Sequence, residues 1–279
     1  MNHSHRYQIL LTNDDGIESP GLWAAASALA QLGFVTVVAP REQASSTGRS
    51  APSTSGGRIS RQSLNIRGQS WEAYAVDGTP TQAVLHAVLE IMPQRPDLVV
   101  SGINYGENVG TGVTMSGTVG AALEAAALGI PAIAVSRQLN GESYLSHSPA
   151  VDFGVAGYFT RFFAERILQD GLLPDVGLLK LDVPDTASEN TDWRITRLAP
   201  TRYFVPYVVR EGDWNSPAHF SYNVRFDPDS LPHDSDVYVM AVEHLVSVTP
   251  LSLDLTSRVD FDELYKHLAV GVMEDRART

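Results

Sequence analysis

Short apolar runs and amphipathic segments alternate along the first two thirds of the chain. "YQILL" (7–11) is an apolar run of strand length. Behind it Leu22, Ala25, Ala26, Leu29 and Leu32 make one apolar face at helical spacing. Ser19 and Pro20 suit the start of that helix and Gly33 its end. "FVTVVAP" (34–40) then predicts a buried strand. Strand, helix and strand within about 34 residues mark a right-handed parallel crossover.

The alternation continues with strands at 71–76, 97–101, 131–136 and 177–183, and helices at 79–92, 116–128 and 150–168. Near-continuous apolar strands separated by helices predict a parallel sheet covered on both faces. The expected class is α/β: a Rossmann-like, doubly wound, mostly parallel sheet over residues 1–185. Beyond about 185 the pattern changes. "WRITRLAP", "YFVPYVVREGDWN", "HFSYNVRF" and "VYVMAVEHLVSVTPL" predict antiparallel strands with polar turns, and a helix is expected near 259–269. Residues 186–279 thus read as a hairpin-rich extension on the same domain, an arm for oligomerisation. Residues 45–70, rich in Ser, Gly and Arg, predict an ordered loop or a mobile flap.

A formal charge of −12 argues against general binding to a nucleic-acid backbone, which needs a positive footprint. A small phosphorylated substrate stays open, because a bound cation inverts the local field. The chain has no cysteine, which excludes disulfides, thiolate zinc sites and cysteine nucleophiles and fits a reducing compartment. No apolar core of signal-peptide length follows the N-terminus. The most apolar stretch, "GAALEAAALGIPAIAV", is interrupted by Glu124, Gly129 and Pro131 and is no membrane span. The expectation is a soluble, cytoplasmic protein.

Ligands of open parallel sheets bind beyond the carboxyl ends of the strands. Asp14 and Asp15 follow the first strand, "PREQASSTG" (40–48) the second, and "GINYGENVGTGVTMSGT" (102–118) the strand at 97–101. Three unusual loops therefore converge on one edge. Asp-Asp-Gly alone reads most simply as a turn, yet a helix rather than a hairpin strand follows it. Adjacent carboxylates at that place suit a hard cation, Mg²⁺ or Mn²⁺. The glycine-rich loop lacks both the P-loop ending and Gly-x-Gly-x-x-Gly spacing. Asn104 and Asn108 can offer carbonyl oxygens to a metal or amides to a phosphate. Ser116, Gly117 and Thr118 open a helix and so can form an anion site. His3, His5, His86 and His244 show no metal-binding spacing and read as core or surface residues. Arg202 and Arg210, with Tyr203, Phe204 and Tyr207, can reach a nucleotide or form a subunit interface.

"ILLTNDDGIESPGL", "VVAPREQASSTG", "DGTPTQAV", "DLVVSGINYGENVG", "SGTVGAALEAAALGIPAIAVS" and "VSVTPLSLDLT" together resemble the SurE survival-protein family, whose members are metal-dependent 5′/3′-nucleotidases. The resemblance is strong over about 7–136 and returns at 247–256. It implies a Rossmann-like domain with a C-terminal arm exchanged in homodimers or homotetramers. It places one divalent cation per subunit, Mg²⁺ or Mn²⁺, on Asp14, Asp15, Ser45 and Asn104, and the phosphate on Asn108, Ser116, Gly117 and Thr118.

The chain departs from the family pattern at several places. Arg41-Glu42 stands for Asp-Arg, Gln82 for Asp, Thr111-Gly112 for acidic residues and Met115 for an aromatic. Asp182-Val183-Pro184 stands for Asn-Val-Pro, and His244-Leu245 for Gly-aromatic. These changes bear on substrate preference. The expected function is hydrolysis of nucleoside 5′- and 3′-monophosphates to nucleoside and phosphate, with reach toward other phosphomonoesters or polyphosphate. Asp14 and Asp15 are the expected catalytic residues, with activated water favoured over direct carboxylate attack. Neither a nucleic-acid polymer nor a membrane is an expected partner. A nucleotide-binding regulatory protein without hydrolysis is the alternative, and a bare carboxylate pair counts against it.

Overall fold

The computed structural model describes residues 6–66, 68–139 and 151–269. Its first crossover runs from β1 (Tyr7–Thr12) through α1 (Pro20–Leu29) to β2 (Gly33–Pro40). A hairpin of β3 (Ile59–Ile66) and β4 (Gln69–Val76) follows, then α2 (Pro80–His86), which continues as a wider turn to Ile91. The alternation resumes with β5 (Leu98–Tyr105), α3 (Gly117–Ala127), β6 (Ala132–Arg137), α4 (Gly154–Asp170) and β7 (Leu178–Val183). The last third holds β8 (Trp193–Ile195), β9 (Phe204–Arg210), β10 (Ala218–Val224), α5 (Asp236–Ala241), β11 (Val246–Leu251) and α6 (Phe261–Ala269).

The main sheet has the order β3-β4-β2-β1-β5-β6-β7-β11-β8. Its six central strands, β4 to β7, are mutually parallel. β1 shows why such strands read as unbroken apolar runs. Ile9 and Leu11 face α1 and α4 in one core, and Leu10 faces α2 and α3 in the other. All three are fully buried, so alternation carries no polar side. This is the expected α/β class.

Two segments differ from their expected form. Residues 59–66 are strand rather than loop or flap, paired antiparallel with β4 at the sheet edge. An edge strand needs few apolar positions: only Ile59, Leu64 and Ile66 reach the cores. Residues 237–251 are not one strand. Ser235 caps α5 by accepting from the Tyr238 N–H at 3.4 Å, and only 246–251 is extended. β11 then enters the main sheet, antiparallel to β7 and parallel to β8. The expected hairpin survives as β9–β10 alone. No helix among the described residues is long and apolar enough to cross a membrane.

Gln82 has a structural reason. It completes a reciprocal cap with Thr79 (3.1 and 3.2 Å) and ties α2 to the Pro52 carbonyl at 3.1 Å.

Gly120, in the first turn of α3, lets that helix lie against the loop after β2. A Cβ there would fall 2.2 Å from the Gly48 oxygen and 2.4 Å from its carbonyl carbon. Gly120→Ala should therefore destabilise by about 1–3 kcal/mol through overpacking. Urea unfolding checks this, with Gly112→Ala as the control, since its Cβ would meet nothing within 4 Å.

Candidate metal and phosphate site

The turn after β1 is closed by the Asn13 amide donating to the Gly16 carbonyl at 3.0 Å, with Gly16 at φ 94°. Asp-Asp-Gly is thus a turn, and the turn presents two carboxylates at the carboxyl edge of the sheet. Asp14 is 4% exposed. Its Oδ1 accepts from the Thr118 hydroxyl at 2.5 Å, and its main-chain oxygen accepts from the Ala44 N–H at 2.7 Å. Asp15 accepts from the Tyr105 N–H at 3.1 Å. Loops from β1, β2 and β5 and the start of α3 are therefore fastened to one another through this pair.

Burial pushes the Asp14 carboxyl up to about 7, and the neighbouring charge of Asp15 adds to the rise, while bonds from Thr118 oppose it. The Tyr105 phenol is pushed up to about 12, by burial first and then by Asp15. Both groups are shifted by burial first, and the Asp15 charge adds to each. Among the described residues no group of three or more His, Asp or Glu side chains could hold a metal. A cation here would rest on two carboxylates and neutral oxygens, a donor set that fits Mg²⁺ or Mn²⁺.

The neutral donors are nearby. Asn104, at the end of β5, spends its amide on the Gly106 carbonyl at 2.7 Å, which leaves its carbonyl oxygen for a ligand. Ser45 lies in the loop after β2, where its hydroxyl accepts from the Gln43 amide at 2.8 Å. Asp14, Asp15, Ser45, Asn104, Asn108 and Ser116 all line one cavity of about 560 Å³.

Gly117 and Thr118 do not line it. Thr118 is fully buried and spends its hydroxyl on Asp14. Gly117 makes room: a Cβ there would lie 2.8 Å from Asp14 Cβ and 2.9 Å from its Oδ2. Ser116 caps α3 by accepting from the Val119 N–H at 3.1 Å. Asn108 is anchored twice, its N–H to Asp182 and its amide to the Ser136 hydroxyl, both at 2.8 Å.

The opposite wall comes from the β9–β10 hairpin: Phe204, Tyr207, Phe220, Tyr222 and Val224, with Arg202 at its root. Phe220, Tyr222 and Val224 recur at period two, a signal legible in the sequence, though its target was not. The two arginines separate. Arg202 faces the cavity, whereas Arg210 donates back to the Trp214 and Ser216 carbonyls at the hairpin turn. Tyr203 is buried behind the wall, stacked on Phe226. Gln43, Tyr105 and Glu107 also line the cavity and carried no distinguishing sequence signal.

Most departures from the family pattern find partners. Arg41 pairs with Asp77 at 2.6 Å near the surface. Thr111 bonds the Thr201 carbonyl at 3.0 Å through its N–H, and Met115 lies in the cavity under Arg202. His244 occupies a left-handed turn (φ 56°) ahead of β11.

A family model described as survival protein SurE matches residues 9–204. A 5′-nucleotidase SurE from Thermococcus gammatolerans is 43% identical over 272 residues, covering 98% of this chain and 99% of that protein. One from Thermococcus kodakarensis is 39% identical over 264 residues, covering 94% and 98%. The crystal structure of the SurE protein from Aquifex aeolicus shares the fold with a TM-score of 0.71 at 29% identity, over 94% of this chain and 98% of that one. With the family model spanning every residue on the cavity floor, this chain belongs to the SurE survival-protein family.

Proposed function

We infer that this chain is a nucleotidase, a divalent-metal-dependent phosphatase acting on nucleoside 5′- and 3′-monophosphates. The observation that carries this reading is a carboxylate pair, Asp14 buried and Asp15 half-buried, at the floor of a cavity whose wall is aromatic. The name 5′-nucleotidase on relatives about 40% identical over nearly the whole chain supports it.

Asp14, Asp15, Ser45 and Asn104 hold one cation per subunit, Mg²⁺ or Mn²⁺. Bound there, it supplies charge neutralisation and Lewis acidity toward a phosphoryl oxygen. The residues of the chain do the rest. Thr118 locks the Asp14 carboxylate and Tyr105 N–H orients Asp15. The Asn108 amide and Ser116 hydroxyl receive the phosphate, and the positive end of α3 favours negative charge beside them. Arg202 offsets phosphate charge from the far side. Phe204, Tyr207, Phe220 and Tyr222 enclose the nucleoside and exclude water. Because Asp14 and Asp15 are each tied down by a hydrogen bond, water is the better nucleophile than either carboxylate.

Phosphate release from AMP, 3′-AMP and p-nitrophenyl phosphate should require added Mn²⁺ or Mg²⁺ and stop in EDTA. Asp14→Asn and Asp15→Asn should each lower it by roughly 10²-fold or more, and Asn104→Ala by less, since it removes one neutral ligand. Full turnover after exhaustive chelation, or near-normal turnover in both aspartate variants, would overturn the assignment. A binding-only protein would release nothing under any condition.

The Asp14 shift has a sign that melts can read. Without metal, the folded state binds this proton more tightly than the unfolded chain does, with a pKa of about 7 against 3.8. Its stability contribution is complete below the lower value and is lost as pH rises through the higher, by at most about 1.4 kcal/mol per pH unit. In EDTA the wild type should melt lower at pH 8 than at pH 5.5, and Asp14→Asn should flatten that slope. Equal slopes in the two proteins would contradict the shift.

Every residue from Leu253 to Leu268 is exposed. Within α6, Phe261, Leu264, Tyr265 and Leu268 form an apolar stripe at helical spacing, 63%, 39%, 73% and 68% exposed. A second copy of the chain covers this stripe, giving a homodimer or homotetramer. Sedimentation at micromolar concentration should show that assembly, and Leu264→Asp with Leu268→Asp should dissociate it. A monomeric wild type would refute it.

A further inference from the structure

Lys180, Asp182 and Asp236 are fully buried in a molecule whose other cores are apolar. Lys180 and Asp182 stand two residues apart on β7, so they share a face, while Leu181 between them joins the core on the other. Lys180 Nζ donates to Asp182 Oδ2 and lies 3.2 Å from Asp236 Oδ2. One cation against two carboxylates leaves a net charge of −1, and backbone donors absorb it. Asp182 Oδ1 accepts from the Asn108 N–H at 2.8 Å. Asp236 Oδ2 accepts from the Gly110 N–H at 3.0 Å, and its Oδ1 accepts from the N–H groups of Ala199 and Val237, both at 2.8 Å.

Two of those four donors belong to the loop between β5 and α3, and they flank a single residue, Val109. That side chain is buried against Ala199, Tyr203, Val237 and Met240. Asn108 thus has its main chain fixed from behind while its side chain reaches the cavity. A buried ion cluster is a poor device for stability, since apolar side chains of similar volume usually serve as well or better. Its hydrogen bonds instead define where two backbone N–H groups sit. Burial works against the charge of Lys180, but Asp182 and Asp236 outweigh it and hold its pKa above the ordinary value.

We propose that Asp182 and Asp236 are positioning residues, with Lys180 as their counter-ion, in a buried clamp that sets the loop backbone at Asn108 and Gly110 and so aims Asn108 at the phosphate. The departure from Asn-Val-Pro at 182–184 then has a purpose: Asp182 keeps an acceptor for the Asn108 N–H and gains a cation to share it. The catalytic part of this claim rests on the nucleotidase reading; the loop-holding part does not.

Two double variants with the same formal charge separate the clamp from bulk stability. Lys180→Met with Asp182→Leu removes the acceptor facing Asn108. Lys180→Met with Asp182→Asn restores one. Amide hydrogen exchange over residues 106–110 should quicken about tenfold or more in the leucine double relative to the asparagine double. Per folded molecule, kcat on AMP should fall on the order of 10²-fold in the leucine double, as for a misplaced binding group. Asparagine should recover most of that loss, and calorimetric Mn²⁺ affinity should stay alike in both. If the leucine double does not fold, Asp182→Thr in the same background, whose hydroxyl stops short of the Asn108 amide, carries the comparison. Equal exchange, or equal kcat per folded molecule, in the paired variants would overturn the clamp. A wild type that releases no phosphate would overturn the nucleotidase reading, while the exchange comparison would still decide the loop.

Discussion

Asp14 holds its carboxylate almost wholly out of water, next to the charge of Asp15, and that arrangement is unfavourable without help. The neighbouring chain supplies the help from several directions. The Thr118 hydroxyl, from the first turn of α3, bonds the Asp14 carboxylate, and the Tyr105 N–H, from the end of β5, bonds that of Asp15. The Ala44 N–H, from the loop after β2, holds the Asp14 main-chain oxygen. α3 can begin this close to Asp14 because residue 117 is glycine. A cation of matching hardness would remove what repulsion remains. The carboxyl edge of the sheet is therefore organised around a charge that the fold supports but does not neutralise.

The second half of the cavity is built by chain that comes much later in the sequence. The β9–β10 hairpin contributes the aromatic wall. Its root, through Tyr203 and Phe204, packs into a small core with Val109, Phe226, Val237 and Met240. The same segment sends Asp236 beneath the loop that carries Asn108 and Gly110. The floor of the cavity and its aromatic wall thus share a mechanical foundation, and a shift in one would be felt in the other.

Local periodicity made the parallel core legible. Ile9, Leu10 and Leu11 announce a doubly covered strand because both faces of β1 are apolar, and Leu22 through Leu32 announce the helix behind it. The convergence of three loops followed from strand direction alone, which is why Asp14, Asp15, Ser45, Asn104 and Asn108 are found together. What escaped was set by pairing over long distances or by edge position. β3 satisfies its backbone with β4 while exposing polar side chains, so its composition resembles a loop. α5 has only six residues, too few for a helical period to stand out from the strand that follows. The division of labour among Ser116, Gly117 and Thr118 could not be read from a helix start, since it depends on which side of the turn Asp14 approaches. The role of Lys180 and Asp182 within the strand at 177–183 was not legible, because Asp236 reaches them from another part of the chain.

The placement of β11 has a consequence for how the molecule comes into being. It is the last strand among the described residues, yet it lies inside the sheet between β7 and β8. β7 therefore waits, with one edge open, until residues 246–251 have left the ribosome, and such long-range closure is slow compared with local helix and crossover formation. α5, which delivers Asp236, immediately precedes that strand and is released at nearly the same moment. A nascent chain can hold its two carboxylates early, but the loop that faces them acquires its final support only once residues 236–251 have emerged. Completion of the cavity is therefore tied to the late pairing of β11 with β7, not to the early crossovers that place its carboxylates.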